Sequence, residues 1–185
     1  MEHASLIHAT VIAFAVPVAA ETPQNPDTGF VDWTFTGSPE MQKRWVGVLL
    51  RGESGSGKSD LALRCLERGA VLVADDQVGL ALRNETVIAS APTNLQGLLE
   101  VRGLGIIRLE QSLERVELVG VADLQDPNEQ RDVERMPDFS KAGQRVSFLG
   151  CSLPKLEIRA FEASAALKLE IYAGFCAALS AGRRF

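Results

Sequence analysis

The sequence has no excess of positive charge: 19 Lys and Arg stand against 24 Asp and Glu, for a net charge of −5. With a pI near 5.1 it lacks the basic field that nucleic acid or an anionic membrane surface would need. It has only three cysteines, Cys65, Cys151 and Cys176, far apart and without metal-ligand spacing. They read as reduced thiols, two of them in apolar helical stretches. No apolar run is long enough to span a bilayer. The nearest, Val11 to Ala20, is interrupted by Pro17, and the first ten residues carry Glu2 but no Lys or Arg, so the basic start of a secretory leader is missing. That stretch reads instead as a first strand, His8 to Ala15. No internal repeat is present. With 46% hydrophobic and 23% charged residues, the expectation is a single soluble domain over residues 1–185, placed in the cytoplasm.

Against these absences stands one strong pattern. Gly52-Glu53-Ser54-Gly55-Ser56-Gly57-Lys58-Ser59 has the GxxxxGK[ST] spacing of a phosphate-binding P-loop. Glycines let the backbone turn with its N–H groups aimed at phosphates, Lys58 can reach the β- and γ-phosphates, and the Ser59 hydroxyl can hold Mg²⁺. The motif needs a strand before it and a helix after it. Val46 to Leu50 is a short apolar run suited to a buried strand. Leu61, Ala62, Cys65 and Leu66 fall at helical spacing, and Gly69 is placed to end that helix. The helix N-terminus adds its partial positive charge to the site. The chain is therefore expected to bind a nucleoside triphosphate.

Further along, Val71 to Ala74 reads as a buried strand that ends in Asp75-Asp76. Strands are also expected at Leu80–Leu82, Val87–Ala89, Leu98–Val101, Ile106–Leu109 and Val116–Val121. Asp123 to Gly143 is polar and irregular, with room for a short helix. Ser164 to Ser180 reads as an amphipathic helix with Ala165, Leu169, Tyr172, Cys176 and Leu179 on one face. The strands after residue 85 are too close together for helical crossovers, so the fold class is α/β, a P-loop nucleotide-binding domain with a mixed sheet. Residues 21–40 are rich in turn formers and read as a long surface loop, in which Phe30, Trp33 and Phe35 alternate like a hairpin arm. Asp75-Asp76 lies at the carboxyl end of a strand, where open α/β sheets bind ligands. A carboxylate there can hold the metal or take a proton from an attacking hydroxyl.

His8-Ala9-Thr10, the P-loop through Asp60, Leu72-Val73-Ala74-Asp75-Asp76 and Glu100-Val101-Arg102-Gly103-Leu104-Gly105-Ile106-Ile107 occur in the order found in the HPr kinase/phosphorylase family. The chain resembles its catalytic domain alone, the short proteobacterial form. The resemblance implies an ATP- and Mg²⁺-dependent serine kinase acting on HPr or a related phosphocarrier and regulating a phosphotransferase system. It implies ATP on Lys58 and the loop amides, and Mg²⁺ on Ser59 and Glu100. Asp76 would be the base, His8 an active-site histidine assisting near the phosphates or the base, and Arg135 the downstream active-site arginine.

Three departures accompany the resemblance. Residues 16–44 form an insertion where the family has a short turn. The family's Pro-Val-Arg-Pro-Gly-Arg-Asn run is replaced by Leu153 to Glu162, which argues against the reverse, phosphorylase reaction. The separate N-terminal domain of the longer members is missing, which puts their hexamer in doubt and leaves the oligomeric state, a homo-oligomer included, open. A P-loop kinase for a small hydroxylated metabolite and a non-catalytic nucleotide-dependent binding module are the alternatives.

Overall fold

The computed structural model describes residues 5–17, 43–129, 131–135, 137–139 and 142–181. The apolar run before the P-loop becomes β3 (Lys43–Arg51), in which Val46, Val48, Leu49 and Leu50 are fully buried. Such burial on both faces marks a central strand. It pairs antiparallel with β2 (Thr10–Pro17) and parallel with β9 (Arg115–Leu124), giving the expected mixed sheet. The remaining strands of that sheet are β1 (Ser5–His8), β4 (Val71–Ala74), β5 (Gln77–Arg83), β6 (Thr86–Ser90), β10 (Arg145–Phe148) and β11 (Cys151–Ile158). Its order is β1-β5-β6-β9-β3-β2-β4, with β11 joining β9 in parallel and β10 paired to β11. A separate hairpin, β7 (Leu98–Val101) and β8 (Gly105–Arg108), carries the Glu-Val-Arg-Gly stretch.

Among the described residues, two α-helices cover one face. α1 (Lys58–Glu67) opens directly from the P-loop and ends with Gly69 in the left-handed region at φ 92°. There Gly69 N–H donates to Leu66 O and Ala70 N–H to Cys65 O, the two bonds of a Schellman cap. α2 (Ala165–Ala181) packs beside it. Ile12, Val48, Leu50, Leu61, Leu72 and Leu169 share the core beneath these helices. The strand alternation sends Val11, Ala13, Leu49 and Val121 to the other face, against Val78, Leu80 and Val87 of the β5–β6 hairpin. At the end of β3, Arg51 donates Nε and Nη2 to the two carboxylate oxygens of Asp123, each at 2.7 Å, fixing the strand from which the P-loop departs. That carboxylate raises the Arg51 pKa.

Several expectations need correction. The single strand from His8 to Ala15 is two strands that break at Ala9, where the chain passes from the β5 edge to β3 and β4. Val16, Pro17, Lys43 and Arg44 belong to a β2–β3 pairing, so the bounds 16–44 expected for an insertion overreach by two residues at each end. The hairpin arm at Phe30, Trp33 and Phe35 lies outside the described residues. Leu179 is 38% exposed, because the buried arc of α2 runs through Leu169, Ala173 and Cys176 and leaves Leu179 at its edge. The run Leu153 to Glu162, read only as a replaced loop, lies mostly in β11.

Candidate functional site

The loop between β3 and α1 turns on Gly55 and Gly57, whose φ values of 86° and 95° a side chain rarely adopts. A Cβ on Gly57 would also lie 2.9 Å from Ala160 Cβ, so glycine is required there twice over. The first intrahelical bond of α1 runs from Leu61 N–H to Gly57 O. The amides of Lys58, Ser59 and Asp60 therefore precede the helical ladder and face out of its N-terminus, the geometry that binds anions. Lys58 is 7% exposed, and its ammonium donates to Gly52 O at 2.8 Å and Glu53 O at 2.9 Å. Of its three N–H groups, one stays available to a phosphate. Burial lowers the Lys58 pKa, while the charges of Asp75 and Asp76 oppose that shift.

The two adjacent aspartates live in different surroundings. Asp75, 7% exposed, accepts from Thr10 Oγ1 at 2.7 Å, from Ser59 Oγ at 3.2 Å and, through its other oxygen, from the Glu100 backbone N–H at 3.2 Å. It ties β2, α1 and β7 together beneath the P-loop. Asp76 sits at φ 68°, a left-handed conformation that Asp tolerates better than most residues. That twist throws its side chain outward, where its Oδ1 meets His8 Nδ1 at 2.8 Å with both side chains more than half exposed. His8 arrives there because β1 pairs with β5 in the register His8↔Gln77, while Ala9 N–H donates to Asp76 O.

These groups surround one cleft of about 320 Å³ lined by His8, Ser54, Gly55, Gly57, Lys58, Ser59, Asp75, Asp76 and Glu100, among others. Gly52 and Glu53 contribute carbonyls to Lys58, and Ser56 is buried within the loop. Ser59 Oγ, the Asp75 carboxylate and Glu100 present only hard oxygen donors to this cleft, the donor set that suits Mg²⁺ alongside phosphate oxygens and water. Asp75 was legible as half of an acidic pair, but nothing in the sequence separated its buried role from that of Asp76. Arg102, in the β7–β8 turn, also lines the cleft. Arg135 does not: it lines a separate groove of about 500 Å³ beneath α2, with Phe139, Tyr172 and Phe175.

Residues 44–169 match the family model described as HPr Serine kinase C-terminal domain. The chain belongs to that family. It is 40% identical over 122 residues to an HPr kinase/phosphorylase of Geobacillus kaustophilus (strain HTA426), covering 61% of this chain and 38% of that protein. To the HPr kinase/phosphorylase of Chlorobium limicola it is 33% identical over 121 residues, covering 63% and 37%. The chain thus spans little more than a third of the length of the curated relatives it matches. Among solved structures, the Hpr(Ser) kinase/phosphatase from Coxiella burnetii is similar in fold, with a TM-score of 0.59 at 22% identity over 97% of this chain and 96% of that one. Among the described residues no helix is long and apolar enough to cross a membrane.

Proposed function

We propose that this chain is the catalytic domain of an ATP- and Mg²⁺-dependent serine kinase that phosphorylates HPr or a related phosphocarrier in the cytoplasm and so regulates a phosphotransferase system. The observation that carries the reading is the His8–Asp76 pair, 2.8 Å long and exposed, at the mouth of the cleft that holds Lys58. An open carboxylate suits a seryl hydroxyl presented by another protein; a small metabolite would be better served by an enclosed base.

In this reading the loop amides and Lys58 bind the triphosphate and neutralise its charge. When bound, Mg²⁺ supplies further charge neutralisation from a site on Ser59 and Glu100, with Asp75 holding the Ser59 hydroxyl. The seryl oxygen attacks the γ-phosphorus as its proton passes to Asp76. The bond from that phosphorus to the bridging oxygen breaks, and ADP leaves. His8 keeps the Asp76 carboxylate turned toward the incoming hydroxyl. Arg135 lies in another groove, so its contribution, on this assignment, is to the protein substrate rather than to ATP. The assignment is to the forward reaction.

The test is transfer of labelled γ-phosphate from ATP to HPr, followed by mapping of the modified residue. Asp76→Asn is expected to keep Mg-ATP binding and to lose about 10²- to 10⁴-fold in transfer, the usual worth of a positioned base. A fully active Asp76→Asn protein would sink the mechanism.

A further inference from the structure

One edge of the cleft has no part in phosphoryl transfer. Phe161, at the turn between β11 and α2, is 58% exposed and lines the cleft beside the P-loop. A Cβ on Gly57 would lie 2.9 Å from Phe161 Cζ and 3.3 Å from Cε1, so the edge of the ring rests on the N-terminal cap of α1. The backbone that carries the ring is tied down on both sides of it. Arg64 donates Nη1 to Glu162 O at 3.2 Å and Nη2 to Ala160 O, the carbonyls that flank Phe161. The same guanidinium also donates to Asp60 at the start of α1, by Nε at 3.1 Å and Nη2 at 2.9 Å. Leu63, 36% exposed on α1, lines the same cleft. A fixed, open aromatic ring and an open leucine at the lip of a charged cleft are the composition of a subsite for a flat apolar group with a phosphate tail.

The direction of the bound molecule follows from the catalytic groups. On the transfer proposed above, its terminal phosphate would lie toward Asp76 and His8, with the amides of residues 58–60 holding the phosphates behind it. The remainder of the ligand would then leave past the first turns of α1, between Leu63 on that helix and Phe161 at its N-terminal cap. We propose that Phe161 is the stacking platform for the nucleobase of the bound nucleoside triphosphate, with Leu63 as the second apolar wall. This rests on the nucleotide reading above. Stacking uses the π-face common to all bases, so the platform sets affinity more than choice of base.

The experiment compares binding of ATP and of inorganic tripolyphosphate, each with Mg²⁺, by calorimetry to the whole chain and to its Phe161→Ala, Phe161→Trp and Lys58→Ala variants. Phe161→Ala is expected to weaken ATP roughly tenfold, the scale of one base–aromatic stack, and to leave tripolyphosphate unchanged. Phe161→Trp should retain ATP affinity, and ATP but not tripolyphosphate should change its indole fluorescence beyond any change in the parent chain. Equal loss of both ligands in Phe161→Ala would overturn the platform, since the ring would then only shape the loop; so would no loss of either. If tripolyphosphate binds, is lost in Lys58→Ala, and ATP binds no more tightly, the phosphate site stands and the platform falls. Failure of both ligands to bind the unaltered chain would overturn the nucleotide reading itself.

Discussion

Around the phosphate loop, polar side chains hold one another: Asp75 gathers Thr10, Ser59 and the Glu100 amide, while Asp76 takes His8. In the groove beneath α2, rings hold rings. Phe139 packs with its centroid 5.5 Å from Tyr172 and 5.2 Å from Phe175. The first region is specified by charge and hydrogen-bond geometry, so single atoms matter; the second is specified by apolar area, which many side chains could supply. Both regions carry a cation that the resemblance places in catalysis, Lys58 in one and Arg135 in the other. The difference teaches that their roles are separable by ligand.

That separation gives the largest expected effects. Lys58→Ala should abolish Mg-ATP binding and lower transfer by about 10²- to 10³-fold or more, since a preorganised charge at a phosphoryl group is lost. Arg135→Ala should leave Mg-ATP binding unchanged and lower transfer at limiting HPr by about 10- to 10²-fold, the cost of truncating an interface arginine. Calorimetry with ATP beside the labelled-phosphate assay reads both. If Arg135→Ala weakens ATP binding as Lys58→Ala does, the two regions are one site. If it leaves transfer untouched, the groove has no part in the chemistry.

The same contrast explains what could be read from the sequence. The P-loop was legible because its glycines, Lys58 and Ser59 are contiguous, and their chemistry dictates their spacing. The division of labour between Asp75 and Asp76 was not, because it depends on one φ angle that turns Asp76 outward. His8 reaches its partner only through the break at Ala9 and the pairing of β1 with β5. β11 has no such signature, because Pro154, Lys155 and Glu157 interrupt any apolar pattern. That composition is tolerated because residues 151–154 pair only with the short β10 and residues 155–158 with β9. The groove of Arg135 is assembled from Val133, Glu134, Pro137 and Phe139 beside it, from β11 and from α2, so no local pattern announces it.

A milder perturbation separates the regions by stability. Tyr172 is buried, and its hydroxyl donates to Val121 O at 3.1 Å, tying α2 to β9 beneath the groove. Burial pushes its pKa up. Tyr172→Phe keeps the ring and removes the bond, leaving the carbonyl short of a partner, at a cost of about 1 kcal/mol. Denaturant unfolding should show that loss while Mg-ATP affinity stays unchanged. A change in ATP affinity would mean that α2 is coupled to the phosphate loop.

The smallest effect uses the three thiols as reporters placed by the fold. Cys65 in α1 and Cys176 in α2 are buried, and burial raises each pKa to about 12; Cys151 in β11 is partly exposed. Only thiolates react readily with disulfide reagents. One fast equivalent is therefore expected under native conditions at pH 8, and Cys151→Ser should remove it. The other two should react only as their helices open, so ATP should slow Cys65 through α1 and leave Cys176 unaffected. The linked pH effect has a definite sign. An unfolded chain ionises these thiols near 9.0, whereas the folded chain holds them neutral to about 12, so their contribution to stability is complete below pH 9 and is lost as pH rises through that window. Equal protection of both thiols by ATP would show the phosphate loop and the α2 groove opening as one unit.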